Sequence, residues 1–369
     1  MLMEAQARAM VANIHHRTEA FRQIMRETLD LLKYYFNTQN DVIILASSGT
    51  GAMEGSISNL VSPGERVLVG TAGKFGERWL GLAAAYGIEA VKVEAPYGHS
   101  LNVAEIKERL EKDGPFRAVY VQATETSTAV SHDVKAIGEI VKNYPETCLV
   151  VDAITGLGTT DLCPDEWGLD IVIGGSQKAV MIAPGLAFAS VSEKAWKMIA
   201  NSKLPRYYFD FAKERKNQVK GETSYTPATT LVITLHSALQ YIKSMGRENL
   251  IANAALLAEA TRAAAKAMGL KLFAVSSPAN AATAVCAPEG MDSGAIVKEM
   301  RTRFGAVIAN GQGSMKGKIF RLAHLGYYDV PDLFAVVASL EITLQKLGQK
   351  VELGSGVRAA QEVYLQRSA

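Results

Sequence analysis

Three cysteines, Cys148, Cys163 and Cys286, are scattered through a chain of 369 residues, and no two stand at a metal-site spacing such as C-x-x-C. A disulfide framework is therefore excluded, and a reducing compartment is expected. Charge of one sign is lacking too: 39 Lys and Arg offset 37 Asp and Glu, which argues against a polybasic nucleic-acid surface or an acidic tail. The most apolar stretch, Ala179 to Val191, contains Pro184 and Gly185 and falls short of the ~18 residues of a membrane span. Glu4, Gln6 and Arg8 interrupt any apolar run of a secretory signal, so a cytoplasmic protein is expected. The six histidines show no metal-ligand spacing, and no metal is expected. What is present, 48% hydrophobic and 21% charged residues, describes a globular protein with chain enough for two or three domains of roughly 100–200 residues.

Residues 1–48 hold neither glycine nor proline. Phe21, Ile24, Met25, Thr28, Leu31, Leu32 and Tyr35 recur at helical spacing, which predicts an amphipathic helix over Phe21–Tyr35. From Val42 the texture changes to short apolar runs: Val42–Ala46, Arg66–Gly70, Ala90–Val93, Ala118–Gln122, Leu149–Asp152, Asp170–Gly174 and Leu186–Val191. Helical patterns at Gly51–Val61, Gly76–Tyr86, Val103–Lys112 and Val134–Asn143 lie between them. The alternation predicts an α/β fold, a mostly parallel seven-stranded sheet with helices on both faces. After Leu235 a long helical stretch, His236–Met268, is interrupted near Gly246. Strands at Leu270–Ala274, Ala281–Ala287 and Ile319–Leu322 and helices at Ser293–Phe304 and Val330–Lys346 then predict a smaller α+β domain. The expected division is an arm over 1–14, a large domain over 15–247 and a small domain over 248–369.

Ligands of open α/β sheets bind beyond the carboxyl ends of the strands. Four such points carry unusual residues. Ser47-Ser48-Gly49-Thr50-Gly51-Ala52 follows a strand and opens a helix, so it reads either as a tight turn or as a phosphate cradle built on free N–H groups and the helix dipole. A dinucleotide fingerprint fits less well, because the spacing is G-x-G-x-x-x-G and no acid ends the next strand. The phosphate loop of nucleoside triphosphatases is excluded, since no G-x-x-x-x-G-K-[ST] occurs. Asp152 ends an apolar strand, where a carboxylate either caps the next turn or holds a cation. Lys178, in Gly175-Ser176-Gln177-Lys178, is either solvated or a desolvated nucleophile of Schiff-base type. Thr124-Glu125-Thr126-Ser127-Thr128 is a hydroxyl cluster or a polar turn.

Together, a phosphate loop, a strand-end aspartate and a strand-end lysine 26 residues later resemble the class V aminotransferases, pyridoxal-phosphate enzymes of fold type I, and within them the alanine/serine–glyoxylate group. The resemblance runs from about His15 to Lys346. It also rests on Ser62-Pro63-Gly64-Glu65, on Gly73-Lys74-Phe75-Gly76-Glu77-Arg78 and on Arg321-Leu322-Ala323-His324-Leu325-Gly326. It implies that Lys178 carries pyridoxal 5'-phosphate as a Schiff base and that Asp152 pairs with the ring nitrogen. Thr50, Gly51, Ala52 and Gln177 would hold the phosphate, Phe75 would stack on the ring, and Thr126 would lie near its phenolic oxygen. Thr229, with Tyr225 or Thr226, would reach the phosphate of a neighbouring subunit, which implies a homodimer. Arg321 would grip the substrate α-carboxylate. Taken singly, Phe75 reads as core, Arg321 as a surface ion pair and Thr229 as a helix cap.

The implied reaction is a ping-pong transfer from a small amino acid, alanine or serine, to a 2-oxo acid such as glyoxylate or pyruvate. Desulfurase-type and kynureninase-type lyases of the same fold and an inert interaction protein are the alternatives. Desulfurases stack a histidine on the ring and carry a reactive cysteine on a mobile loop, whereas this chain has Phe75 there, and Cys286 is expected to be buried in a strand. Two departures stand out. Members of the family open on a Pro/Gly-rich segment lining the substrate pocket, so one wall of that pocket is expected to differ here. Ala129 occupies a position where glycine is common, which stiffens the loop after Thr128.

Overall fold

The structure is a computed structural model and describes residues 1–368; Ala369, the last residue of the expected small domain, lies outside them. The chain enters as a helix, Met3–Val11 (α1), followed by Glu19–Phe36 (α2). Thr18 starts α2 by accepting the N–H of Phe21, and Asn37 ends it in the left-handed conformation at φ 57°, a common stop for a helix.

Seven strands follow: β1 (Asp41–Leu45), β2 (Arg66–Thr71), β3 (Glu89–Glu94), β4 (Ala118–Gln122), β5 (Cys148–Asp152), β6 (Ile171–Gly175) and β7 (Ala187–Val191). They lie in the order β1-β7-β6-β5-β4-β2-β3. All run parallel except β7, which is antiparallel to both β1 and β6. Each begins and ends within one residue of its expected position; six are buried along nearly their whole length and read as apolar runs, whereas the edge strand β3 is largely exposed and carries Lys92 in its middle.

Side-chain alternation divides the core into two layers. Val42, Ile44, Val119, Val121, Leu149 and Val151 pack beneath α2 and the helix Thr229–Met245. Ile43, Leu45, Tyr120, Cys148 and Val150 pack on the opposite face against α3 (Gly49–Leu60) and α4 (Lys74–Ala85). Strand connections run outward from β2 to β3 on one side and from β4 through β5 to β6 on the other. The sheet therefore reverses direction between β2 and β4, the crevice position for a ligand.

A third core surrounds a small sheet whose strands Ala282–Cys286 (β8), Ala309–Asn310 (β9) and Ile319–Ala323 (β10) take the order β8-β10-β9. The strand expected at Leu270–Ala274 reduces to a single bridge, Leu272 to Val285. Phe273 still donates to Ala284 O, but Val275 N turns to Gly98 O at 2.7 Å, so the segment leaves β8 for the large sheet's loops. A terminal helix, Ser355–Ser368, packs along Arg247–Ala267. Cys286 is half-buried rather than buried, and burial raises its thiol pKa. Among the described residues no helix is long and apolar enough to cross a membrane.

Candidate active site

Asp152 closes β5, paired in register with Gln122 of β4 and Ile173 of β6. It is 6% exposed, and its Oδ1 accepts the N–H of Ile154 at 3.0 Å. Burial pushes its carboxyl up to about 6; the charge of Glu125 adds to the rise, while the Ile154 bond, Arg78 and Lys178 oppose it. A buried acid with one backbone donor is short of a cationic partner.

Lys178 lies three residues beyond β6, on the connection that returns as β7. Ser176 Oγ ties this loop by donating to Ala183 O at 2.8 Å and accepting from Leu186 N at 3.2 Å. Met181 N donates to Lys178 O, and Leu2 N donates to Met181 O at 2.8 Å. Lys178 itself is half-buried. Burial lowers its pKa, Arg321 lowers it further, and Asp152 opposes both. That environment favours the neutral, nucleophilic amine.

Thr50, Gly51 and Ala52 occupy the first turn of α3, whose N-cap, Ser48, makes no side-chain cap bond and whose first turn holds no acid. A Cβ on Gly51 would stand 2.6 Å from Ser47 Oγ and 2.8 Å from Phe209 Cζ, so only glycine fits. An uncapped helix start of this kind suits an anion. Arg78 adds positive charge there: its Nη1 donates to Thr50 Oγ1 at 3.1 Å, and its guanidinium lies 4.9 Å from the centroid of the Phe75 ring. Gln177 is exposed at the rim.

Phe75, half-buried, is the second residue of α4. Its N–H and that of Gly76 donate to Glu125, a fully buried carboxylate. Thr126 Oγ1 donates to Thr155 Oγ1 at 2.9 Å, and Thr126 O accepts Arg321 Nη1 at 2.8 Å. Arg321 sits on β10, the middle strand of the small sheet. It is buried, not a surface ion pair. Its Nη2 donates to Asn310 O at 3.1 Å, while its Nε is buried without an acceptor. Burial lowers its pKa, with Glu125 opposing.

Asp152, Lys178, Arg321, Thr50, Phe75 and Thr126 are thus linked to one another by hydrogen bonds or by mutual electrostatic influence, directly or through Arg78 and Glu125. Tyr225, Thr226 and Thr229 are not joined to them within the chain. The Tyr225 hydroxyl donates to Tyr207 O, accepts from Lys213 Nζ, and its ring stacks on Tyr208 at 5.0 Å. Thr226 is exposed, and Thr229, the first residue of its helix, turns to Pro227 O. Sequence reasoning missed Arg78, Thr155 and Glu125. The available signal for Glu125 was an acid set among four hydroxyl residues.

A buried strand-end carboxylate and a desolvated lysine on such a sheet define an enzyme of the pyridoxal-phosphate fold type I. The chain belongs to the class-V aminotransferase family, whose family profile, "Aminotransferase class-V", matches residues 2–326. It is 43% identical over 353 residues to a protein named the soluble hydrogenase small subunit of Synechococcus sp. strain PCC 6716, covering 95% of this chain and 92% of that protein. It is 33% identical to the serine–glyoxylate aminotransferase of Methylorubrum extorquens, with 95% and 90% covered. The crystal structure of a subgroup IV aspartate aminotransferase from Thermus thermophilus superposes with a TM-score of 0.86 at 33% identity, covering 93% and 95% of the two chains. The protein is therefore a transaminase, and its family implies pyridoxal phosphate. The residues present fit that group: Asp152 is buried with one backbone donor and a raised pKa, α3 opens without a side-chain cap, and Gly51 leaves no room for a side chain.

Proposed function

We propose that this transaminase moves the amino group of a small amino acid, alanine or serine, to a 2-oxo acid such as glyoxylate or pyruvate by a ping-pong mechanism. The observation that carries this reading is Arg321, the one buried guanidinium that bears on Lys178, with an Nε that has no acceptor. A guanidinium has five N–H donors in a fork matched to a carboxylate. Two are bonded to Thr126 O and Asn310 O, which aim the rest.

In this reading Asp152 holds the cofactor's ring nitrogen, Thr50, Gly51, Ala52 and Gln177 hold its phosphate, Phe75 covers the ring, and Thr126 lies by its phenolic oxygen. Bound pyridoxal phosphate supplies an electron sink for cleavage at the substrate Cα. Lys178, whose pKa burial lowers toward the free amine, takes the Cα proton and returns it. Arg321 fixes the α-carboxylate and with it the Cα–H direction. Residues 15–247 form the cofactor domain and 248–369 the domain that carries Arg321. Tyr225, Thr226 and Thr229 serve the site of a second subunit in a cytoplasmic homodimer.

Borohydride reduction of the holoenzyme and peptide mapping should place the cofactor on Lys178, and Lys178→Ala should fold and fail to transaminate. Serine or alanine should convert the bound cofactor to its amino form faster than aspartate does. A label elsewhere than Lys178 overturns the site, and faster conversion by aspartate overturns the donor class.

A further inference from the structure

Glu125 is fully buried and makes no part of the proposed reaction. Its Oε2 accepts the N–H of Gly76 at 2.9 Å and of Phe75 at 3.1 Å. Its Oε1 accepts the N–H of Ser127 at 3.1 Å and the Ser127 hydroxyl, and that hydroxyl in turn accepts the N–H of Lys74 at 3.0 Å. Every N–H that opens α4 over Lys74–Gly76 is thereby held by the loop after β4. The N-cap of α4, Gly73, has no side chain of its own to offer. A Cβ there would stand 2.6 Å from Glu125 Cγ and Cδ and 2.4 Å from Ser127 Oγ, so the glycine is what admits the carboxylate. A negative charge at this point also meets the positive end of the helix dipole.

We propose that Glu125 is a positioning residue: by capping α4 from the loop after β4, it fixes the backbone of Phe75 and so the placement of that ring over the cofactor. The proposal rests on the cofactor reading above. The Phe75 side chain leaves a backbone whose N–H is anchored directly, between the anchored N–H groups of Lys74 and Gly76. The anchoring loop also carries Thr126, whose carbonyl holds Arg321. One carboxylate therefore ties the ring cover to the same segment as the proposed carboxylate grip.

Gln at 125 keeps the shape but presents an NH2 group to one pair of N–H donors, which it cannot accept. Two quantities are measured on the holoenzyme: the rate of pyridoxal-phosphate release and the visible circular dichroism of the bound cofactor, which reports the asymmetry around the ring. Glu125→Gln should release the cofactor about tenfold faster, as loss of a hydrogen bond to a charged group implies, and should diminish the visible band. Phe75→Leu should do the same, and the double variant should lose no more than Phe75→Leu alone, because one residue acts through the other. Losses that multiply in the double variant overturn the proposal. So does a Glu125→Gln enzyme with a lowered melting temperature but an unchanged visible band and release rate. Where Glu125→Gln fails to fold, Ser127→Ala removes the hydroxyl that holds the carboxylate, and the same cycle is read with it. A wild-type chain that takes up no pyridoxal phosphate overturns the cofactor reading itself; a normal wild type with an unaltered Glu125→Gln overturns the role of Glu125 alone.

Discussion

Replacing Asp152 by asparagine should stabilise the cofactor-free protein at pH 8 and weaken its hold on the cofactor. The carboxyl titrates near 3.8 when free and is pushed up to about 6 by burial in the folded chain. Below pH 3.8 both states are protonated and the folded state carries no penalty. Between 3.8 and 6 the unfolded chain releases a proton that the folded chain retains, so stability falls as pH rises; above 6 the penalty is complete. The interval of about 2.2, at 1.36 kcal/mol each, makes that penalty about 3 kcal/mol. Asparagine carries no charge, and its Oδ1 can keep the Ile154 N–H, so the variant should recover most of that amount. With ~2.1 cal/mol/K of unfolding entropy per residue over 369 residues, the melting temperature should rise by about 4 °C. Calorimetry of the cofactor-free proteins from pH 4 to pH 8 is the assay. The advantage of asparagine should be small near pH 4 and level off above pH 6. A variant less stable than wild type at pH 8, or an advantage that does not change with pH, would refute the reasoning. In the holoenzyme the order should reverse, because a cationic ring nitrogen restores the partner that burial denies the carboxylate.

Two other expectations can be checked with simple measurements. Arg321→Lys keeps a charge but loses the planar fork and the links to Thr126 O and Asn310 O, so kcat/KM for the amino donor should fall by roughly 10- to 100-fold; steady-state kinetics with an unchanged value would remove Arg321 from the substrate site. His324 is buried between Thr283 and Thr261, and burial pulls its pKa down to about 3. The unfolded chain binds a proton near pH 6.5 that the folded chain refuses, so His324 costs stability as pH falls from 6.5 toward 3. Denaturant titration should show His324→Asn losing less stability than wild type between pH 7 and pH 5, and parallel losses would count against this.

Six of the seven strands of the large sheet were legible because burial on both faces leaves them almost wholly apolar, and Val150-Val151-Asp152 shows the signal ending abruptly at the carboxylate; the exposed edge strand Glu89–Glu94 showed only through Ala90, Val91 and Val93. Leu270–Ala274 has the same apolar texture, but where its backbone bonds go is decided by Gly98, a residue about 170 positions away in the chain. The closing helix Ser355–Ser368 was invisible for a different reason: it packs along the alanine-rich helix Arg247–Ala267 with Ala360 fully buried, and small residues give a weak periodic signal. Lys178 and Asp152 could be singled out from their positions at strand ends. Glu125 could not, since its partners are the N–H groups of a helix some 50 residues earlier in the chain. Ala129 bears on the same point. Its φ of 57° is a conformation natural to glycine, so the departure noted in sequence falls where the backbone is left-handed.

The antiparallel placement of β7 bears on how the chain is made. β6 and β7 are joined by one short loop and can pair as soon as both exist. β1, however, has only β7 as a neighbour in the sheet among the described residues, and 187 − 45 = 142 positions separate the end of one from the start of the other. At a synthesis rate of ~5–20 residues per second, the first strand waits about 7 to 28 s for its partner. During that interval the apolar run Val42–Leu45 has α2 and α3 for shelter but no strand to bond, so its backbone stays unpaired for seconds in the nascent enzyme, a state that a holding chaperone would protect.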